Sequence, residues 1–275
     1  MYIKTDNNIL RFKKNNTIDY SNLFIPKNMF VCRDNIVKID NNYYYIKNKR
    51  MINCIFKDYN SIINEIIGSY FCKILELDSL DYDIGICRNN VYSISKYFYN
   101  NNYTYDYINK YFKISSNLIY YYGSINVFLS ELLDQVEDKE LLSNILKLIC
   151  IDLRMGQVDR HEHNIIMKKN NNNGKIELAP ILDFSNSYFK SSFEFTNSLY
   201  VSPLLVISKN STPIYNLCDK YPEFINYIEK LCIYNIDDIL NQIENDKDII
   251  FNSREIKYYK DKDKENVKML KFALR

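Results

Sequence analysis

Glycine is scarce in this chain, with five in 275 residues and none ahead of Gly68. Tryptophan is absent and histidine occurs only twice, at His161 and His163. The seven cysteines (32, 54, 72, 87, 150, 218 and 232) form no C-x-x-C pair, which speaks against a zinc site. No secretory signal opens the sequence, so the cysteines are expected to be reduced in a cytoplasmic protein. Charges interrupt the longest apolar stretches well short of a membrane span. A net charge of +2 provides no general basic field for nucleic acid or an acidic membrane. What is abundant is globular: 47% hydrophobic and 15% aromatic residues, with 26 Tyr. Asn, Ile, Lys and Tyr are used so heavily that the bias reads as an A+T-rich coding sequence. Asn-rich and Lys-rich stretches therefore carry no functional signal by themselves. At this length the chain can bury a real core, as one domain or two lobes.

The most informative stretch is 152–188. Asp159 is followed by four residues and then Asn164, and an apolar run from Asn164 to Met167 leads to an Asn-rich turn ending at Gly174. A second run, Ile176 to Leu182, ends on Asp183. Two short apolar runs across an Asn/Gly turn predict a β-hairpin. With a four-residue loop, Lys169 faces Gly174 and Asp183 lies opposite Arg160, beside Asp159 and within reach of Asn164. Two carboxylates and an amide oxygen then converge, a hard donor set suited to Mg²⁺ and its phosphate ligands. The same order, Asp-x-x-x-x-Asn, strand pair, Asp, is the kinase layout. The bland alternative is a surface hairpin with polar ends, since Asp and Asn favour turns for local reasons. A zinc reading of HEHNI fails because Ile165 stands where the metalloprotease pattern needs its second His.

Ahead of this stretch, β-rich runs at 30–32, 36–39, 43–46 and 51–56 precede a helix at 60–76, followed by strands at 83–86 and 91–98. Helical periodicity dominates later, at 105–112, 125–136, 140–154, 222–234, 236–245 and 262–273, with loops around Pro203 and Pro213. The segregation predicts an α+β, bilobal architecture: a small β-rich N-lobe over 1–98 and a larger, mainly helical C-lobe over 99–275, with a cleft between them. Lys57 ends a strand and Glu65 lies on the next helix, the placing of the ion pair that positions nucleotide phosphates in kinases. Taken alone, Lys57 is one solvated lysine among 36 Lys plus Arg, and Glu65 an exposed helix residue.

Together these residues resemble the HipA-like serine/threonine kinases, in the compact form without an extra N-terminal domain. The resemblance runs over most of the chain. IFK at 55–57 and NEIIGSYFCKILELD at 64–78 are similar to the family's lysine strand and N-E helix. VYSISKYF at 91–98 resembles the strand into the hinge, VDRHEHN at 158–164 the D-x-H-x-x-N loop, and LAPILDFS at 178–185 the L-A-P-x-Y-D-x-x-S segment. The resemblance implies a protein-kinase-like fold and phosphoryl transfer from ATP, with Mg²⁺, to a protein Ser/Thr hydroxyl, autophosphorylation included. It implies Asp159 as catalytic base, His161 in the catalytic loop near the phosphates, and Asn164 and Asp183 as metal ligands. Lys57, supported by Glu65, would contact the phosphates, and Ser95 and Tyr97 would lie along the nucleotide. ATP, a protein substrate and an antitoxin are the implied partners, with no nucleic acid and no membrane.

One departure concerns the phosphate loop. The family carries glycine before its lysine strand, where this chain has none; Lys47, Asn48, Lys49 or Arg50 would stand in. Backbone amides can cradle phosphate without glycine, but close approach is harder. Two rival readings remain open: a phosphoinositide-type lipid kinase, which shares D-R-H-x-x-N followed by D-F, and a degenerate ATP-binding pseudokinase scaffold. L-A-P before Asp183 and the short length favour the HipA-like reading over the first, and the retained Asp159, Asn164 and Asp183 speak against the second. Aminoglycoside-type phosphotransferases fit less well, because Gln157 and Val158 stand where they usually carry a His.

Overall fold

The computed structural model describes residues 2–4, 9–12, 35–39, 42–48, 60–87, 90–114, 131–157, 160–185, 187–188, 214–247 and 249–274. Strands β3 (Asn35–Ile39), β4 (Asn42–Asn48), β5 (Tyr82–Cys87) and β6 (Asn90–Lys96) form one antiparallel sheet in the order β3-β4-β6-β5. The expected runs at 36–39, 43–46 and 83–86 are thus strands of a single sheet, as is the expected 91–98 up to Lys96, with Tyr97 and Phe98 beyond the strand end. Those at 30–32 and 51–56, with Lys57, lie outside the described residues. β6 is central, and Ser93, Ile94 and Ser95 are all buried, as a strand covered on both faces must be. A smaller sheet pairs β1 (Tyr2–Lys4) and β2 (Ile9–Phe12) with β10 (Ile249–Ile250).

Helix α1 (Asn60–Ile74) follows the first two strands of the main sheet, as the periodicity predicted. It is not amphipathic in place: every residue from Ile62 to Cys72 is buried. A helix apolar all round belongs to the interior, and α1 packs against β5 and against helices later in the chain. Helix α2 (Lys139–Met155) is equally central, with Leu141, Ile145, Leu146, Leu148, Ile149 and Leu153 inside. Its ends have clear causes. The Asp138 carboxylate accepts from the Leu141 amide, and Gly156 closes the helix with φ 60°, a left-handed cap that glycine adopts without a Cβ penalty. Helices α3 (Ile214–Lys220), α4 (Pro222–Ile233), α5 (Ile236–Asp246) and α6 (Ser253–Ala273) complete the helical part.

Four expectations need correction. The segment 105–112 is not helical: β7 (Tyr103–Tyr107) pairs with β8 (Ile166–Asn170), and a single 3₁₀ turn follows at Ile108–Lys110. Tyrosines at 103, 105 and 107 alternate with period two, and a strand partner was available to use that alternation. The hairpin exists as β8 and β9 (Ile176–Leu178), but its register is Lys169↔Ile176 and not Lys169 opposite Gly174. The turn is longer, closed by Asn170 N to Lys175 O and Gly174 N to Asn170 O, both 2.9 Å. A slip of two keeps every side chain on its intended face. The ladder stops at Leu178, ahead of Pro180, and Ile181 forms a parallel bridge to Ser79 instead. Helix α3 arises where loops were expected, because a proline beside a helix start is also a start signal. Finally, α6 begins at Ser253, nine residues ahead of its expected start. Within the expected 125–136 helix, the described part is helical at 131–135.

Candidate active site

Arg160, within the D-R-H-E-H-N stretch, holds the site together. Its side chain is 1% exposed. Nε and Nη2 donate to the two carboxylate oxygens of Asp152 on α2, each at 2.9 Å. Nη1 donates to the carbonyl of Asn164 at 3.2 Å and to that of Leu182 at 2.7 Å. The guanidinium also lies over the Phe184 ring, 5.0 Å from its centre. One side chain therefore ties the last turns of α2, the Asn164 turn and the segment bearing Asp183. Burial pushes the Asp152 carboxyl up, opposed by the Arg160 charge. Burial also works against the guanidinium, but the Asp152 carboxylate outweighs it and keeps Arg160 cationic. The planar fork of arginine suits this two-sided grip better than a lysine ammonium would.

Asn164 is buried at the end of a 3₁₀ turn, Glu162–Asn164. His161 caps that turn, its Nδ1 accepting from the His163 amide at 3.2 Å. In the neutral ring the proton then sits on Nε2. His163 packs edge-on to Tyr107, ring centres 4.7 Å apart.

Asp183 stands at the other side. Its φ of 63° places it in the left-handed region, which Asp tolerates better than most residues. Its surroundings hold it there: Gln157 Nε2 donates to its carbonyl at 2.7 Å, and its own amide points to the Tyr82 hydroxyl at 3.4 Å. The Ser185 hydroxyl donates to its Oδ1 at 2.7 Å, which orients the carboxylate. Directly after it, the Phe184 amide donates to Glu65 Oε2 at 2.8 Å. Glu65 is therefore no exposed helix residue: it is 1% exposed and fastened to the residue following Asp183. Its expected partner Lys57, like Asp159, lies outside the described residues. Ser95 is the register partner of both Tyr45 and Tyr82, and is buried. Tyr97 is buried in an aromatic cluster with Tyr45, Phe98 and Tyr99.

Three residues of the site escaped the sequence reading. Arg160 and Gln157 sit within or beside the quoted motifs, but nothing in a motif says that a side chain is buried. Asn64 gave the better signal, a polar pair with Glu65 set between isoleucines on both sides. Such residues are seldom interior unless they are hydrogen-bonded.

The Phe184 ring is fully buried against Gly68 on α1, where an added Cβ would come within 2.3 Å of ring carbons. Gly→Ala inside a helix normally stabilises by about 1 kcal/mol. Here Gly68→Ala should instead destabilise, by about 1–3 kcal/mol for an overpacked core. Chemical denaturation of the two proteins checks the sign.

Asn164 and Asp183 offer an amide oxygen and an oriented carboxylate, a fit for Mg²⁺ shared with phosphates. Among the described residues, no group of three His, Cys, Asp or Glu could hold a metal by itself.

This combination is a kinase-like fold. The structure is similar to the proinflammatory kinase CtkA of Helicobacter pylori, with a TM-score of 0.58 and 15% identity over 94% of this chain and 96% of that one. It is also similar to HipA of Shewanella oneidensis MR-1, solved with HipB and its operator DNA, with a TM-score of 0.57 and 11% identity. That match covers 84% of this chain and 58% of the HipA chain. No family model matches the sequence, and no curated protein matches it. At these identities the likeness establishes the fold: the chain is built as HipA and CtkA are. Among the described residues, no helix is long and apolar enough to cross a membrane.

Proposed function

We propose that the chain transfers the γ-phosphoryl group of ATP to a Ser or Thr hydroxyl of a protein, itself included, in a Mg²⁺-dependent reaction. The observation that carries this reading is the Arg160 grip, which draws the Asn164 turn and the Leu182–Asp183 segment to one place. The HipA-like fold supports it. Residues 1–98 would form the nucleotide-binding lobe and 99–275 the lobe bearing the catalytic loop. Asp159 accepts the proton of the attacking hydroxyl as its oxygen bonds to the γ-phosphorus and ADP leaves. Asn164 and Asp183 would hold Mg²⁺, which neutralises charge on the phosphate oxygens when bound. Lys57 binds and orients the phosphates with Glu65 behind it, His161 shapes the turn beneath them, and Ser95 and Tyr97 flank the nucleotide. The proposed setting is the cytoplasm. The presence of HipB in the HipA structure supports an antitoxin as partner.

The test is incubation with labelled ATP and Mg²⁺, followed by mass spectrometry of the protein and of added substrates. Wild type should acquire phosphate on Ser or Thr, and Asp159→Ala should lose about 10²–10⁴-fold in rate, the usual worth of a positioned base. Label appearing only on an inositol headgroup would favour a lipid kinase. ATP binding without any transfer would leave a pseudokinase.

A further inference from the structure

We infer that the last helix, α6, is part of the phosphotransfer site: Tyr259 and Asp263 hold the segment that follows Asp183, with Asn64 as the positioning residue between helix and segment. The inference rests on the metal role proposed for Asp183.

Residues 183–185 and 187–188 belong to no helix or sheet, and two non-glycine residues there have left-handed backbones, Asp183 (φ 63°) and Tyr188 (φ 52°). Such geometry persists only where the surroundings over-determine it. Asn64 on α1 supplies much of that support. Its Nδ2 donates both hydrogens, to the Ser185 carbonyl at 3.2 Å and the Ser187 carbonyl at 2.5 Å. Its Oδ1 accepts from the Tyr259 hydroxyl at 3.1 Å. The two carbonyls fix which way the amide faces, since a flipped amide would aim its oxygen at both, and the Tyr259 hydroxyl then holds the amide oxygen in place. Asn64 and Tyr259 are buried at 2% and 1% exposure, so bulk water does not compete for either partner.

Four residues further along α6, Asp263 grips the far end. Its Oδ1 accepts from the Tyr188 hydroxyl at 3.2 Å and its Oδ2 from Arg154 Nη2 at 2.7 Å. The Tyr188 ring stands perpendicular to that of Tyr259, centres 5.5 Å apart. The path to the metal ligand is short. Tyr259 anchors the Asn64 amide oxygen, Asn64 fixes the carbonyl of Ser185, and the Ser185 hydroxyl orients Asp183 Oδ1. Outer partners of this kind tune metal affinity without touching the metal.

The experiment uses the full-length protein and three variants: Tyr259→Phe, Asn64→Asp and, as control, Tyr227→Phe, which removes a hydroxyl bonded to Ser143 at 2.7 Å on another face of α2. Three quantities are read: melting temperature, affinity for a fluorescent ATP analogue without Mg²⁺, and the Mg²⁺ concentration at the midpoint of Mg²⁺-enhanced analogue binding. Tyr259→Phe should raise that midpoint about tenfold, the lower range for an outer-shell change, and Asn64→Asp more. Affinity without Mg²⁺ should hold, and Tyr227→Phe should leave the midpoint where it is. A midpoint unmoved in both variants, with melting temperature lowered as in the control, would make the network a fold support only and overturn the inference. If Asn64→Asp fails to fold, Tyr259→Phe decides. A wild type whose analogue binding ignores Mg²⁺ would refute the metal role itself, a result distinct from unmoved variants beside a responsive wild type.

Discussion

Replacing Asp183 with Ala should abolish both phosphoryl transfer and the Mg²⁺ dependence of nucleotide binding. Asp159→Ala should lose transfer alone, because that carboxylate is assigned to the acceptor and not to the nucleotide. The contrast separates a metal ligand from a base. Stability adds a second signature. At φ 63°, Ala is worse accommodated than Asp, while Gly adopts this region freely. Asp183→Ala also removes the acceptor of the Ser185 hydroxyl. It should therefore melt below wild type, whereas Asp183→Gly, relieved of strain, should melt close to wild type and be equally inactive. Activity lost at nearly full stability is what a strained functional residue predicts. Residual Mg²⁺-dependent binding in both variants would count against Asp183 as ligand.

Arg160→Leu should be among the most destabilising single substitutions in the chain, at about 3–5 kcal/mol, the cost of breaking a buried ion pair from one side. It strands the Asp152 carboxylate and leaves the Asn164 and Leu182 carbonyls without this donor. Changing both partners, Asp152→Leu with Arg160→Met, should recover much of that stability, since a buried pair replaced by apolar groups is often neutral. Transfer should not recover, because Met cannot draw the two carbonyls together. Urea unfolding of the single and double variants, run beside the labelled-ATP assay, reads both effects. A double variant that regains activity would show that the grip serves stability only.

Much of the architecture was legible because burial imposes a period. The alternation in 36–39, 43–46 and 91–98 and the apolar spacing of 60–76 and 140–154 led to elements observed within one or two residues of those bounds. The reading failed where two periods competed. Residues 105–112 carry aromatics spaced well enough for a helix, and β8 decided the matter by offering a strand edge. The hairpin register missed by two because the Asn-rich turn contributes its own side-chain bonds, Asn170 Oδ1 accepting from the amides of Asn172 and Asn173. At the candidate site, Asn164, Asp183 and Glu65 were singled out by motif spacing and the family resemblance, and the structure sets the Asn164 carbonyl on Arg160 and Glu65 on the amide of Phe184, next to Asp183. The buried polar residues that position them were missed. A hydrogen bond between Asn64 and Tyr259 leaves no periodic trace in a sequence, and Arg160 looks the same whether it faces water or holds three segments together.

The Tyr259–Asn64 bond spans 195 residues of chain. Contacts this distant form late, since loop closure precedes any reward. On the ribosome, α1, α2 and the Asp183 segment all emerge before α6, so a nascent chain holding every motif residue still lacks the hydroxyl that holds the Asn64 amide oxygen. In the order of synthesis, support for the Asp183 segment is therefore completed only when α6 docks, and a product truncated ahead of Ser253 lacks both the Tyr259 and the Asp263 contacts.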